Sequence, residues 1–277
     1  MRHRTLLEYK NFRYFKLAVV LMAAAIIAYI WHRPPVGAYG GTWLGYTLGT
    51  IGALIILLLV YFGVRKRQYS ASAATLQGWL SAHVYLGISL IIVATLHTGF
   101  EVGWNVHTLA YVLMLIVIFS GFYGLYAYVR YPRLVTENAG EDSLESLFLK
   151  IAAQDNEARR LAVQLPDNIN RAVLAAAQGT RIGGNLFAQL SGNAANCPTT
   201  AAVDLIREAG KALKGDEAKL NHELYAAMLH KQTLVERART DIKYKARMTI
   251  WLYFHVPLSI ALLAALTAHI VSVFFYW

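Results

Sequence analysis

Long apolar runs separated by short polar links fill the first half of the chain, and one extended polar stretch divides the fourth run from the last. A helix needs about 20 residues to cross a bilayer, and five runs come close to that length: 15–32, 43–63, 79–100, 107–129 and 249–275. The first is the shortest. The stretch 132–247 is too polar for the bilayer interior and reads as helical. Leu144, Phe148, Ile151, Ala158, Leu161 and Leu165 recur at three- and four-residue spacings, as do Leu220, Leu224, Ala227, Leu234, Ala238 and Ile242, which predicts two long amphipathic helices packed as a hairpin. Pro166, Gly183-Gly184 and Cys197-Pro198 mark the turns. Gly179-Thr-Arg-Ile-Gly-Gly184 has neither a GxGxxG pattern nor a GK[ST] ending and is read as a turn, not a phosphate loop. The last helix of this stretch is expected to run on into the fifth span. The pattern thus predicts an all-α integral membrane protein in three parts: spans one to four (1–131), a helical insert (132–247) and the fifth span (248–277).

Composition agrees with that class. Of 277 residues, 57% are hydrophobic and 15% charged, and the mean hydropathy is +0.40. A net charge of +10 raises the question of nucleic acid, but the basic residues flank apolar runs and form no stripe interleaved with exposed aromatics. No nucleic-acid partner is expected. With five spans and alternating loops, Arg2, Arg4, Lys10, Arg13, Lys16, Arg65, Lys66, Arg67 and everything basic in 130–247 fall on one side, leaving only Arg33 of 26 on the other. The positive-inside rule makes that side the cytoplasm. The expected location is a bacterial-type inner (cell) membrane, with the N-terminus and the insert inside and the terminal Phe-Phe-Tyr-Trp277 at the outer interface. The first run lacks a small-residue cleavage site and is read as a retained helix. Cys197 is the only cysteine, so an intrachain disulfide, a cysteine-ligated cluster or a CxxCH attachment has no residues to use.

Four histidines carry the chemistry. His83 and His97 lie fourteen residues apart in the third span, and His255 and His269 repeat the spacing in the fifth. On an α-helix fourteen residues rise about 21 Å and turn to about 40° short of four full turns, so each pair occupies nearly one face at two depths. Both helices run from inside to outside, so His83 matches His255 in depth and His97 matches His269. Two imidazoles do not complete a tetrahedral zinc site. They do complete a haem, whose macrocycle supplies the other four nitrogens. Ionisable residues within a bilayer are costly enough to be read as functional. Aligned without gaps, Trp79–His97 and Trp251–His269 share nine of nineteen residues in the pattern WLxxHVxLxIxLxxxxTxH, as if one ligand helix had been used twice.

On these residues the chain resembles the two-haem b-type membrane cytochromes: the transmembrane domain of ferric reductases and NADPH oxidases, and the cytochrome b of quinol-oxidising complexes. The reductase type is the nearer, since its ligands also lie on the third and fifth spans and its fourth-to-fifth loop is cytoplasmic. The resemblance implies two haem b groups, an inner one on His83 and His255 and an outer one on His97 and His269, in a five-helix haem-binding bundle. The chain departs from the family in having no sixth span and no flavin or nicotinamide domain, and in its large helical insert. The expected role is therefore transmembrane electron transfer as the membrane subunit of a larger oxidoreductase complex, with no catalytic residue of its own. A cytoplasmic redox or assembly subunit would dock on 132–247, and the outer partner would be an electron carrier or a quinone. Two other functions stay open: a quinone oxidoreductase cytochrome b subunit, and a haem-free proton or metal transporter or signalling protein.

Weaker signals have ordinary explanations beside functional ones. His32 and His107, at the outer ends of the first and fourth spans, suit interfacial solvation, or else hydrogen bonds to haem propionates, a quinone pocket or a third group. His3, His222 and His230 are not expected to be ligands. Gly45, Gly49, Gly52, Gly87, Gly121 and Gly124 suit close helix packing or a haem face near the backbone. Pro257 suits a kink that aims His255 or one that serves packing. Trp79 and Trp251 cover the inner haem edge or belong to an interfacial belt. Arg65, Lys66, Arg67, Lys245 and Arg247 suit topology, propionate neutralisation or an acidic partner.

Overall fold

The computed structural model describes residues 6–35, 37–67, 75–140, 142–192 and 197–275. Arg2, His3, Arg4, Tyr276 and Trp277 lie outside these residues, as do the side chains of Arg65, Lys66 and Arg67. The described chain is helical and contains no strand: α1 (Arg13–Trp31), α2 (Trp43–Arg67), α3 (Leu76–Thr98), α4 (Val106–Ala139), α5 (Leu144–Ala162), α6 (Asp167–Gly179), α7 (Leu186–Ser191), α8 (Pro198–Gly210) and α9 (Gly215–Phe275). Five of them, α1 to α4 and α9, are long and apolar enough to cross a membrane. This is an all-α, multi-pass membrane protein. The chain divides into two compact units, residues 1–125 with 251–277 and residues 126–250.

In the first unit α3 is the central element. Leu86, Leu90 and Val93 on it are buried, as are Ser81 and Ser89. Leu90 packs in one core with Ile55 and Ile56 of α2, Met114 of α4 and Leu262 of α9. Val93 packs with Ala25 of α1 and Leu44 and Leu48 of α2. Thr75 caps α3 by accepting the Gly78 N–H, and Gly99 ends it in the left-handed conformation, φ +60°. Only glycine fits there, because a Cβ would fall 2.0 Å from the Ala38 carbonyl oxygen. α3 therefore ends at Thr98, one residue after His97. The outward faces of this unit are apolar: Val20, Ile30, Phe119, Phe254, Ile260 and Phe274 are all exposed. In water such a surface would be costly, whereas in lipid it is the ordinary solvent face.

The second unit differs from the expected two-helix hairpin. Its first predicted helix ends at Ala162, and Pro166 caps a separate helix, α6; α7 and α8 follow before α9 begins. The core is built by Ala158, Leu161, Leu165, Ile169, Val173, Ile206, Leu224 and Met228, so α6 and α8 supply much of what a hairpin would have buried. Leu147, not Phe148, is the buried residue of the first turn of α5; Phe148 is 41% exposed. Lys231 is buried in this unit, with Nζ 2.5 Å from Asp155 Oδ1 and 3.0 Å from the Ala176 carbonyl. The predicted turns fall between helices. Gly183 and Gly184 take φ of +95° and +96°, and Cys197 precedes Pro198 at the first position of α8. α9 continues without a break through Pro257 to Phe275.

Candidate functional site

The four histidines lie in the first unit, two on α3 and two on α9. The rings of His97 and His269 face one another with centroids 5.9 Å apart, perpendicular to each other. His83 and His255 are close enough to interact electrostatically. The α9 segment from Trp251 therefore runs in register with α3, so that the histidines form two levels. Leu90 and Leu262, each seven residues beyond the first histidine of its helix, share the core between the levels. The repeat extends to hydrogen bonding: Thr95 donates to the Ile91 carbonyl and Thr267 to the Leu263 carbonyl, each one turn back.

The Nδ1 atoms decide what the rings can do. His97 Nδ1 lies 2.8 Å from the Gly45 carbonyl oxygen. A carbonyl only accepts, so Nδ1 carries the proton and Nε2 keeps its lone pair. His255 Nδ1 lies 2.7 Å from Ser120 Oγ. That hydroxyl donates its proton to the Val117 carbonyl at 2.8 Å, so its oxygen accepts from His255, again leaving Nε2 with the lone pair. His269 Nδ1 meets Nδ1 of His107 on α4. His97 and His255 thus donate from Nδ1 and keep Nε2 available, the arrangement that fixes tautomer and orientation in metal-ligating histidines, while in the His269–His107 pair either ring can be the donor. His83 is the exception. Its Nδ1 is buried without a hydrogen-bond partner, and its ring packs 5.1 Å from that of Phe62.

Glycines make the room. A Cβ on Gly49 would fall 2.7 Å from His97 Cε1, and one on Gly121 would sit 3.8 Å from His255 Cε1. At Gly124 an added Cβ would run into the Trp251 indole, whose Nε1–H donates to the Ser120 carbonyl at 2.8 Å. Gly49 thus admits the His97 ring and Gly124 the Trp251 indole. Gly52 and Gly87 meet only aliphatic side chains, Leu90 and Val93 for the first and Leu59 for the second. Trp251 lies 5.0 Å from His255, while Trp79 packs against Tyr61 at 5.8 Å. The repeated tryptophans therefore have different neighbours.

The His97/His269 level opens on a cavity of about 910 Å³, which both rings line together with small residues such as Gly49, Gly52, Ala53 and Ala94. Its size is in the range of ligand and cofactor sites. No family model, curated protein or solved structure matches the chain.

The donor set fits a haem at this level. His97 and His269 bring two imidazoles to one level with ring centres 5.9 Å apart, and would hold the iron of a group that itself supplied the other nitrogens. Among the described residues no group of three or more His, Cys, Asp or Glu is placed to hold a metal ion.

His32 and His107, which read alike in the sequence as interfacial residues or as partners of a bound group, have different surroundings. His107 bonds His269, whereas His32 packs edge-on to Trp43 with Nε2 buried and unpartnered. His222 and His230 are exposed on α9 in the second unit. Ser120 and the Gly45 carbonyl carried no sequence signal, because each reaches its histidine from another helix. Lys245 pairs with the buried Asp241 at 2.7 Å.

Proposed function

We propose that the protein is a dihaem b-type cytochrome that carries electrons across the membrane, one haem held by His83 and His255 and the other by His97 and His269. The observation that carries this reading is the pair of Nδ1 hydrogen bonds to the Gly45 carbonyl and Ser120, which leave one Nε2 lone pair for iron at each level. When bound, each haem supplies a one-electron couple whose potential its axial ligands tune. The chain's own contribution is position. Gly45 and Ser120 hold their imidazoles in the ligating tautomer, Gly49 admits the His97 ring and Gly124 the Trp251 indole, and Leu90 with Leu262 keeps an apolar layer between levels about 21 Å apart along the helix. That separation is most of a hydrocarbon core about 30 Å thick.

The charge distribution supports an orientation with His83 and His255 toward the cytoplasm and residues 126–250 on that side, where they would dock a redox or assembly subunit. The chain then serves as the membrane subunit of a larger oxidoreductase complex, with an electron carrier or a quinone at the other face. Haem quantified per chain in the purified protein tests the reading. Two haems are expected, and none in the variant with all four histidines changed to alanine. Fewer than two haems in the wild type, or haem retained by the fourfold variant, would refute it.

A second reading has one observation in its favour. His97, His269 and His107 form a chain of imidazoles with centroid separations of 5.9 and 4.6 Å, which would suit proton relay in a haem-free transporter. Against it, a relay has no need of two equal fourteen-residue separations on parallel helices. Absence of a haem band together with proton flux in vesicles would establish it.

A further inference from the structure

The repeated ligand helices treat their second histidines differently. His97 gives its Nδ1–H to a backbone carbonyl, that of Gly45. His269, at the equivalent place, has instead the ring of His107, with Nδ1 to Nδ1 at 2.5 Å, centroids 4.6 Å apart and planes at 88°. Among the described hydrogen bonds this is the one made by the His269 side chain; its backbone carbonyl accepts from Ser272 Oγ.

His107 is not on a loose end. It is the second residue of α4, and Asn105 caps that helix by accepting the Thr108 N–H through Oδ1 at 2.9 Å. Thr108 Oγ1 in turn accepts the Gly103 N–H, and Leu109 N–H bonds the Asn105 carbonyl. The backbone on both sides of His107 is therefore fixed. Its ring is held against the one nitrogen of His269 that a ligating histidine turns away from the iron.

Resting on the dihaem reading, we propose that His107 is the positioning residue of the His97/His269 haem: it accepts the Nδ1–H of His269, so fixing the orientation of that ligand and strengthening it as a donor. Hydrogen bonding at the remote nitrogen raises ligand basicity, and a stronger axial donor favours the oxidised iron. Because the acceptor is a side chain, it can be removed without touching either ligand. At His97 the corresponding acceptor is main chain.

The test uses the full-length protein purified with its haem: haem per chain, a redox titration, and low-temperature electron paramagnetic resonance. His269→Ala first assigns one redox component to this level. In His107→Ala that component is expected to move to higher potential with a changed resonance, while the other component stays in place. His107→Gln, whose carboxamide oxygen offers an acceptor, should return it part of the way. Loss of one haem in the alanine variant that glutamine restores would support the same conclusion. Unchanged potential and resonance in His107→Ala, or a loss that glutamine does not restore, would overturn it. A wild-type protein without haem, or His269→Ala with both components intact, would instead refute the underlying reading, and either result is seen before any His107 variant is measured.

Discussion

The two histidine levels are built from the same repeated sequence and yet are closed in different ways. The His97/His269 level opens on the 910 Å³ cavity with small residues around it, and its second nitrogens are held by a backbone carbonyl and by His107. The His83/His255 level is walled by rings, Phe62 against His83 and Trp251 against His255, and only His255 has a defined Nδ1 partner, Ser120. Repeating the histidine helix therefore duplicates the histidines but not their hydrogen-bond partners, which come from α2 and α4. In the proposed conduit this is how one helix design gives two sites of unequal potential, since hydrogen bonding to the ligands and access of solvent are the adjustable terms.

The largest effect should come from removing one ligand per level. His97→Ala and His255→Ala are each expected to lose one haem completely and keep the other, seen as halved haem content and a single remaining redox component. Loss of both haems from either variant would mean that the levels are not independent sites. Ser120→Ala comes next. It removes the acceptor of His255 Nδ1, and haem retention at that level should weaken by roughly 10–100-fold, measured as transfer to a haem-scavenging protein, with the other level unaffected.

Gly49→Ala acts on the opposite level. Its Cβ would lie 2.7 Å from His97 Cε1, so the ring must shift, at an overpacking cost of about 1–3 kcal/mol. Gly87→Ala, where the nearest atom is Leu59 Cδ1 at 3.8 Å and which does not line that cavity, is the control and should leave the resonance of that haem unchanged. The smallest expected effect is Trp251→Phe. It deletes the Nε1–H bond to the Ser120 carbonyl, and hydrogen bonds between membrane helices average about 0.6 kcal/mol, so only a slight loss of thermal stability is predicted, confined to the His83/His255 level.

The membrane part was legible because its signals are long or repeated. The run 15–32 became α1 at 13–31 and the run 43–63 became α2 at 43–67, since about 20 apolar residues leave little choice of structure. The histidine register was legible because fourteen residues on two parallel helices are a fixed geometry. The insert was less so. Leu147, Ile151, Ala158 and Ala162 form its buried row, and Phe148 lies about 100° round the helix from Leu147, at the edge of the stripe where spacing alone does not separate inside from outside. Pro166 then resets the phase by starting a new helix. The partners of the histidines were not legible at all. A Gly45 carbonyl resembles any other carbonyl, and Ser120 becomes visible only when α4 is laid against α9.

The central claim is that the two levels hold haem iron between pairs of imidazoles. Low-temperature electron paramagnetic resonance of the oxidised wild-type protein tests it most directly, with haem content measured on the same sample. Two low-spin ferric signals of bis-imidazole type are expected, one lost in His97→Ala and the other in His255→Ala. A protein that carries no haem, or whose haem is high-spin and unchanged in both variants, would contradict it.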